Sequence, residues 1–240
     1  MPESLRDLLP PGVVVCDGAM GTLLQASGKL AAGGAPEELN VSCADVVRAA
    51  HRAYIEAGSQ IIETNSFGGS RIRLSRTGLG ERSVELNLAA GRLAREAAGN
   101  KVRVAGSIGP LGEMVEPWGP VSFAEAFREQ AAALAEGGVH FIIIETLFDL
   151  EEMRAAIEGA REATVLSIVA TMTFDKGGRT MMGVRPEDAA RQLLEMGAEA
   201  IGSNCGLGPA ATEAAVRAMI AAVPDAIFVA QPNAGVPRLE

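Results

Sequence analysis

The run Val139-His140-Phe141-Ile142-Ile143-Ile144-Glu145-Thr146 decides how this chain folds. Its apolar side chains follow one another without the polar alternation of a half-exposed strand, so it predicts a strand buried on both faces. Strands of that kind occur in parallel sheets that are covered by helices. We expect the carboxyl group of Glu145, which ends the run, to need hydrogen-bond donors or a cation, or to have a raised pKa.

Similar apolar runs recur along the chain and alternate with longer helical patterns. The candidate strands are 13–17, 60–66, 102–107, 139–146, 165–173, 199–205 and 226–231. The candidate helices are 44–57, 83–98, 122–136, 150–163, 186–196 and 209–222. Ser42 and Ser122 each precede an acidic residue by three positions, as in a capping box, and Pro186 and Pro209 suit a first helical turn. This alternation predicts an α/β fold with a parallel sheet.

The lengths of the connections favour a barrel. Helix-to-strand connections are short and glycine-rich, whereas the strand-to-helix connections 18–43, 67–82 and 108–121 are long. Long connections that follow the carboxyl ends of the strands are typical of a (β/α)8 TIM barrel, although an open doubly wound sheet also has them. Because we find about seven strands instead of eight, we predict an incomplete barrel with an open edge between its last and first strands. We expect a single domain over residues 1–240.

Composition narrows the range of partners. The 240 residues carry a net charge of −9 and lack a run of Lys and Arg, so we expect neither nucleic acid nor a membrane as a partner. The start lacks the basic and apolar regions of a secretory signal, and no apolar run is long enough to span a membrane. Three scattered cysteines do not form a disulfide framework. We therefore predict a cytoplasmic protein.

Several kinds of chemistry are disfavoured. The chain has two histidines, and both fit structural positions: His51 lies in a helical pattern and His140 begins a strand. A Ser/His/Asp triad or a histidine-based metal site therefore has little support. Phosphate-binding glycine motifs of the P-loop and dinucleotide types are absent from the sequence.

Polar side chains cluster where the predicted strands end, which is the face at which barrel enzymes do their chemistry. They are Asp17, Asn65, Ser107, Glu145, Thr173, Asn204, Cys205, Gln231 and Asn233. Cys205 is the candidate functional thiol, because it ends a strand on this face. Alternation predicts that Cys16 points away from Asp17, outward against the helices. Cys43 lies at a predicted helix start, far from the predicted mouth of the barrel.

Several motifs in the same order resemble the zinc-dependent homocysteine S-methyltransferase family. They are Asp17-Gly18-Ala19-Met20-Gly21-Thr22, Glu63-Thr64-Asn65-Ser66-Phe67-Gly68, Glu145-Thr146-Leu147-Phe148-Asp149, Asn204-Cys205 and Gln231-Pro232-Asn233-Ala234-Gly235-Val236-Pro237. The likeness covers nearly the whole chain. It is strongest to the homocysteine-binding module of cobalamin-dependent methionine synthases and their close relatives.

The resemblance implies transfer of a methyl group to a zinc-activated homocysteine thiolate, which forms methionine. Zinc held by cysteine thiolates favours deprotonation of the incoming thiol, whose thiolate is the nucleophile. By resemblance, Cys205 corresponds to the first zinc cysteine and is the catalytic residue. Asn233 corresponds to a residue whose carbonyl group can occupy the free position of the metal.

The resemblance also implies a site for the amino-acid part of the substrate. Asp17 and Glu145 correspond to carboxylates that bind the ammonium group, and Asn204 belongs to the same substrate site. The backbone amides around Gly18 and Ala19 would receive the substrate carboxylate. A desolvated ammonium group needs anionic partners, so the two carboxylates also make physical sense without the resemblance.

One part of the family pattern is missing. Its paired cysteines, in a Gly-Gly-Cys-Cys motif, would follow Glu240, near a final strand and helix that this sequence does not contain. We therefore expect the chain to bind zinc weakly or not at all and to be inactive in isolation. Methylcobalamin or another methyl donor would be supplied by a partner or a donor-carrying domain, and this domain alone would not bind it.

Other readings stay open. The same fold could use betaine or S-methylmethionine as donor, and Trp118 and Phe123 in the third long loop are equally well explained by loop packing. A catalytically inactive barrel that serves as a binding module would also fit the missing cysteines. An aldolase-type lyase is less suitable, because Lys29, Lys101 and Lys176 lie outside the predicted strand cores.

Overall fold

In this computed structural model the described residues are 4–31, 33–112, 119–175 and 177–235. The strands are β1 Ile61–Glu63, β2 Arg103–Ile108, β3 Phe141–Leu147, β4 Ile168–Met172, β5 Ala200–Cys205 and β6 Ile227–Pro232. The helices are α1 Leu5–Leu8, α2 Met20–Ala26, α3 Leu39–Ser42, α4 Ala44–Glu56, α5 Arg71–Ser75, α6 Ser83–Ala98, α7 Gly119–Glu136, α8 Leu150–Ala163, α9 Pro186–Glu195 and α10 Pro209–Ala222. Trp118, Lys176, Val236 and Pro237 lie outside the described residues.

The six strands form one parallel sheet in the order β1-β2-β3-β4-β5-β6. Each strand pairs with its neighbour in sequence, whereas a doubly wound sheet reverses its strand order. The sheet curls into part of a barrel with helices between successive strands. The predicted incomplete TIM barrel is therefore confirmed. Within the described ranges, no helix is long and apolar enough to cross a membrane.

The predicted first strand, 13–17, is wrong as a regular strand. It contributes a single parallel bridge, between Cys16 and Ile61, with hydrogen bonds from Gln60 and Ile61 to the carbonyl oxygen of Val15. The sheet therefore has six named strands instead of seven. In the described part of the chain, β6 pairs only with β5, so the sheet ends there in an open edge.

Side chains alternate between the two faces of each strand, and each face packs differently. The outer face meets the helices in the larger core, which includes Ile62, Val104, Ile142, Ile144, Ile168 and Ile201. The inner face forms a smaller cluster of Ile61, Ala105, Phe141, Ile143, Val169 and Ala200, together with Leu5 and Leu8 of α1. The amide of Leu5 donates to the carboxylate of Glu199 at 3.0 Å, which ties α1 to the amino-terminal end of the sheet.

The inner face changes from apolar to polar side chains toward the carboxyl ends of the strands. Two or four residues beyond the apolar cluster, the same alternation presents Glu63, Ser107, Glu145, Asn204 and Gln231. Because parallel strands end at the same edge, these polar groups from five strands meet at one end of the sheet. The apolar cluster and α1 lie beneath them.

The two predicted capping boxes are wrong. The hydroxyl of Ser42 donates to the carbonyl oxygen of Glu38 in the preceding helical turn, and Cys43 occupies the N-cap of α4 without a side-chain hydrogen bond. Helix α7 begins at Gly119, ahead of Ser122. The predicted positions of Pro186 and Pro209 in first helical turns are confirmed.

Candidate active site

A cavity of about 1760 Å³ lies at the polar end of the inner face and continues along the open side of the sheet. Its wall includes the sequence-predicted residues Asp17, Gly18, Ala19, Glu145, Asn204, Cys205 and Asn233. The loop after Cys16, the ends of β3 and β5 and the turn after β6 supply them. These seven residues thus line one cavity.

Glu145 and Asn204 are held together at the centre of this wall. The Glu145 carboxylate accepts hydrogen bonds from the Ser107 hydroxyl, at 2.6 Å, and from the Asn204 side-chain amide, at 2.9 Å. The Asn204 carbonyl oxygen in turn accepts the backbone amide of Thr146 and the hydroxyl of Thr171. Burial and the charge of Glu63 raise the pKa of Glu145 well above its usual range, as expected from its position after an apolar strand.

Cys205 ends β5 beside this network. Its sulfur lies 3.5 Å from the hydroxyl oxygen of Thr146, which contributes a hydrogen bond. Burial raises the pKa of the Cys205 thiol, and the negative charges of Glu145 and Glu63 raise it further, while the Thr146 contact lowers it. Without a cation nearby, this environment favours the thiol over the thiolate.

Asp17 adds a second carboxyl group from the segment before β1. Its Oδ2 accepts the backbone amide of Glu63 at 3.0 Å. Burial, followed by the charge of Glu63, raises the pKa of Asp17 to about 8. Gly18 next to it lies against Tyr54, whose hydroxyl donates to the carbonyl oxygen of Ala19 at 3.0 Å.

The direction predicted for Cys16 is wrong. Cys16 packs against the inner apolar cluster of Ile61, Phe141 and Ile143 instead of the outer helices. The segment makes only one bridge with β1, so no regular ladder imposes the alternation on which the prediction depended. Burial, with smaller contributions from Glu63 and Asp17, raises the pKa of the Cys16 thiol to about 12.

Asn233 lies in the exposed turn after β6, next to Cys205. Its backbone amide donates to the carbonyl oxygen of Cys205 at 3.2 Å, and its side-chain amide donates to that of Gly206 at 3.1 Å. The side-chain carbonyl oxygen is therefore the group of Asn233 that could act as a ligand. These contacts keep the turn close to the end of β5.

Other predicted polar residues have structural partners. Asn65 exchanges hydrogen bonds with Asn40 and anchors α3 to the end of β1. The Thr173 hydroxyl donates to the backbone carbonyl of Asn204. His140 lies at the opposite end of the sheet with Arg95, and His51 is fully buried in α4.

The most important residue that the site prediction omitted is Glu63. Its carboxylate accepts a hydrogen bond from the side-chain amide of Gln231 at 2.5 Å, and burial raises its pKa. The signal for it was present in the sequence, since Glu63 follows Ile61 by two positions and therefore shares its inward face. Thr146 was also missed, because its contact with Cys205 depends on an unusual backbone conformation.

The described residues do not make a complete metal centre. No group of three His, Cys, Asp or Glu side chains within these ranges is placed to hold a metal ion. Around the end of β5 the available donors are the Cys205 thiol, the Glu145 carboxyl group and amide or hydroxyl oxygens. Tetrahedral zinc sites use three or four N, S or carboxylate ligands, so this donor set does not fit zinc without further ligands.

The fold and the site define a class: an α/β-barrel domain that gathers carboxyl groups and the Cys205 thiol in a cavity at its strand ends. The homocysteine S-methyltransferase family matches residues 14–240. The chain belongs to this family.

Individual relatives agree with that assignment. The chain is 32% identical to the methionine synthase of Mycobacterium tuberculosis and 30% identical to that of Mycobacterium leprae, in each case over 98% of this chain and 21% of the relative. It therefore spans about a fifth of the length of these relatives. The metallated form of the homocysteine methyltransferase MmuM from Escherichia coli has the same fold, with a TM-score of 0.84 and 25% identity over 96% of this chain and 87% of that chain.

Proposed function

We propose that residues 1–240 are a homocysteine-binding barrel domain that takes part in methyl transfer to the homocysteine sulfur, with methionine as the product. The observation that carries the proposal is the convergence of Asp17, Glu145 and Cys205 on one cavity wall. Homocysteine has an ammonium group, a carboxylate and a thiol, and the cavity offers groups suited to the first and the last of these. Membership of the family supports the same substrate.

The amino-acid end of the substrate has matching partners. Glu145 and Asp17 would accept N–H groups of the ammonium ion, which would offset the cost of burying these carboxylates. Asn204 holds Glu145 in place through its side-chain amide. The backbone amides around Gly18 and Ala19 would receive the carboxylate of the substrate, since α2 begins at Met20 without a side-chain cap.

The sulfur end of the substrate would lie beside Cys205. Cys205 and Asn233 are the proposed metal-side residues, but Cys205 is the one thiol at the end of β5 in the described part of the chain. A zinc site would need two further thiolates, and the sequence contains only Cys16 and Cys43 besides Cys205. We therefore assign no step to a metal in this chain and propose that turnover needs ligands from outside residues 1–240.

The methyl donor and the cellular location are also part of the proposal. A donor such as methylcobalamin would come from a partner or a donor-carrying domain, and betaine or S-methylmethionine are the alternatives. The proposed setting is the cytoplasm. A second candidate function, a binding module without catalysis, is favoured because Cys16 and Cys205 are the only described thiols that line the cavity, and the described residues form no group of three metal ligands.

The test is methionine formation from homocysteine by the full-length gene product, with methylcobalamin, betaine and S-methylmethionine offered separately. Formation of methionine with any one of them supports the enzyme and identifies the donor. Homocysteine binding without methionine formation from any donor would support the binding module instead. The absence of homocysteine binding would contradict both functions.

A further inference from the structure

Glu63 and Glu145 face each other across the inner surface of the sheet. β2 lies between their strands, and the side chains of the two residues are in hydrogen-bonding contact. Both line the cavity. A hydrogen bond between two carboxyl groups requires a proton on one of them, because two carboxylates are acceptors only.

The remaining partners of the pair are neutral donors. Ser107 and Asn204 donate to the two oxygens of Glu145, and Gln231 donates to Glu63. Within the described residues, no salt bridge of either glutamate to Arg, Lys or His is found. The pair therefore lacks a positive charge that would hold both groups ionised.

The other titratable groups around the pair also supply no positive charge that would hold both glutamates ionised. Asp17 contacts the backbone of Glu63, and the thiols of Cys16 and Cys205 face the pair from the segment before β1 and from β5. The Tyr54 hydroxyl lies behind Asp17. Each of these groups is neutral or negative, so none offsets the charge of a second carboxylate.

Gln231 suits both protonation states of Glu63. Its side-chain nitrogen donates to Glu63, while its side-chain oxygen is buried and has no partner among the described residues. A half-turn of the amide would bring that oxygen to Glu63, where it could accept a proton from the acid form. The amide can therefore follow a change in the protonation of the pair.

We infer that Glu63 is a positioning residue for Glu145, and that the pair holds one shared proton in the empty cavity and releases it when an ammonium group binds. The inference rests on the proposed function. The ammonium group keeps its three protons, the shared proton goes to the solvent, and the added positive charge balances the second carboxylate. Glu63 thereby makes the cavity selective for a cationic amine over a neutral or anionic ligand.

The experiment is calorimetric titration of the chain with L-methionine and with L-homocysteine, at one pH in buffers of different ionisation enthalpy. The dependence of the heat on the buffer counts the protons released. The wild-type pair should release up to one proton per ligand on binding, in addition to any proton that Asp17 releases. The same titration with 4-(methylthio)butanoate, which lacks the amine, should show no release.

Variants of Glu63 show whether it positions Glu145 or has only a structural role. Glu63→Gln should bind the amino acids about tenfold more weakly and release about one proton fewer per ligand than the wild type, whereas Glu63→Asp should retain the wild-type release. Glu158→Gln, at an exposed position of α8, is the matched control and should behave as the wild type. A loss of affinity in Glu63→Gln with unchanged proton release would mean that Glu63 is only structural.

The outcomes also separate this inference from the function on which it rests. If the wild-type chain binds the amino acids without releasing a proton, the inference is wrong and the proposed function stands. If Glu63→Gln releases as many protons as the wild type, the shared proton is not in this pair. If the wild-type chain binds neither amino acid, both the inference and the proposed substrate site are wrong.

Discussion

The sulfur of Cys205 lies 3.5 Å from the hydroxyl oxygen of Thr146, and both residues adopt a left-handed backbone, with φ of 56° and 66°. They are the two non-glycine residues with positive φ in the described part of the chain. Such a conformation costs about 1–2 kcal/mol per residue, and it persists where the surrounding structure fixes it. The strain is concentrated at the two strand ends that bring the candidate thiol into the cavity wall.

The strained backbone at Cys205 predicts that a glycine variant is more stable than an alanine variant at this position. Cys205→Gly should have a free energy of unfolding about 1 kcal/mol higher than Cys205→Ala, because glycine adopts positive φ without the clash of a β-carbon. Urea unfolding of the two variants measures the difference. As a control, Glu158→Ala should be more stable than Glu158→Gly, because Glu158 is an exposed residue in the interior of α8, where glycine is the poorer helix former. A more stable Cys205→Ala would show that the backbone is not strained there.

Removal of the Glu145 charge should abolish the preference for an amine. Glu145→Gln should bind L-homocysteine at least about tenfold more weakly, because a charge-assisted hydrogen bond is worth roughly 1.5–3 kcal/mol. Its affinity for 4-mercaptobutanoate, which lacks the amine, should change little. Calorimetry with both ligands gives the comparison. An equal loss for the two ligands would argue that the substitution damages the cavity as a whole.

Asp17 should make the folded state less stable as pH rises. Its pKa is about 8 in the folded chain, against an ordinary value of 3.8, so the folded state holds a proton that the unfolded state has lost between those values. The contribution to stability is full below about pH 4 and is lost as pH rises through 8. The free energy of unfolding, measured by urea denaturation at several pH values, should therefore fall less steeply with rising pH in Asp17→Asn than in the wild type.

The control for this pH dependence is Asp225→Asn, in an exposed turn before β6. It should leave the slope of stability against pH as it is in the wild type. A steeper decline in Asp17→Asn than in the wild type would contradict the assignment of a protonated Asp17 to the folded cavity.

The chain should bind zinc weakly. Cys16 and Cys205, the two thiols that line the cavity in the described part of the chain, cannot supply the three thiolates of the expected site, so we expect a dissociation constant above about 1 μM. A zinc titration against a competing chelator measures it, with Cys43→Ala as the control thiol variant. A one-to-one complex of submicromolar affinity that is lost in Cys205→Ala would overturn this prediction.

Much of the fold was predictable from the sequence because the strands bury both faces. The residues Phe141 to Ile144, which precede Glu145, are all apolar. The predicted strand that contains them and the predicted helices lie within a few residues of the observed bounds. The position of Glu145 at the cavity followed from the same pattern. Alternation from Ile61 would also have indicated Glu63, but its place beside Gln231 depends on β6 approaching β1 across the curled sheet.

The failures have local physical causes. Ser42 satisfies its hydroxyl with the carbonyl oxygen of Glu38, so it does not cap α4. The 13–17 segment makes one bridge, and Cys16 therefore turns to the inner apolar cluster. The left-handed backbones of Thr146 and Cys205 come from the tertiary structure, and no periodicity in the sequence encodes them.

The most direct test of the central claim is methionine formation from homocysteine by the full-length gene product, compared with its Cys205→Ala variant. Circular dichroism and thermal unfolding of both proteins would establish that the variant is folded. We predict that the wild type forms methionine with at least one donor and that the folded variant forms none. Methionine formation at the wild-type rate by Cys205→Ala would contradict the assignment of the strand-end cavity as the site of methyl transfer.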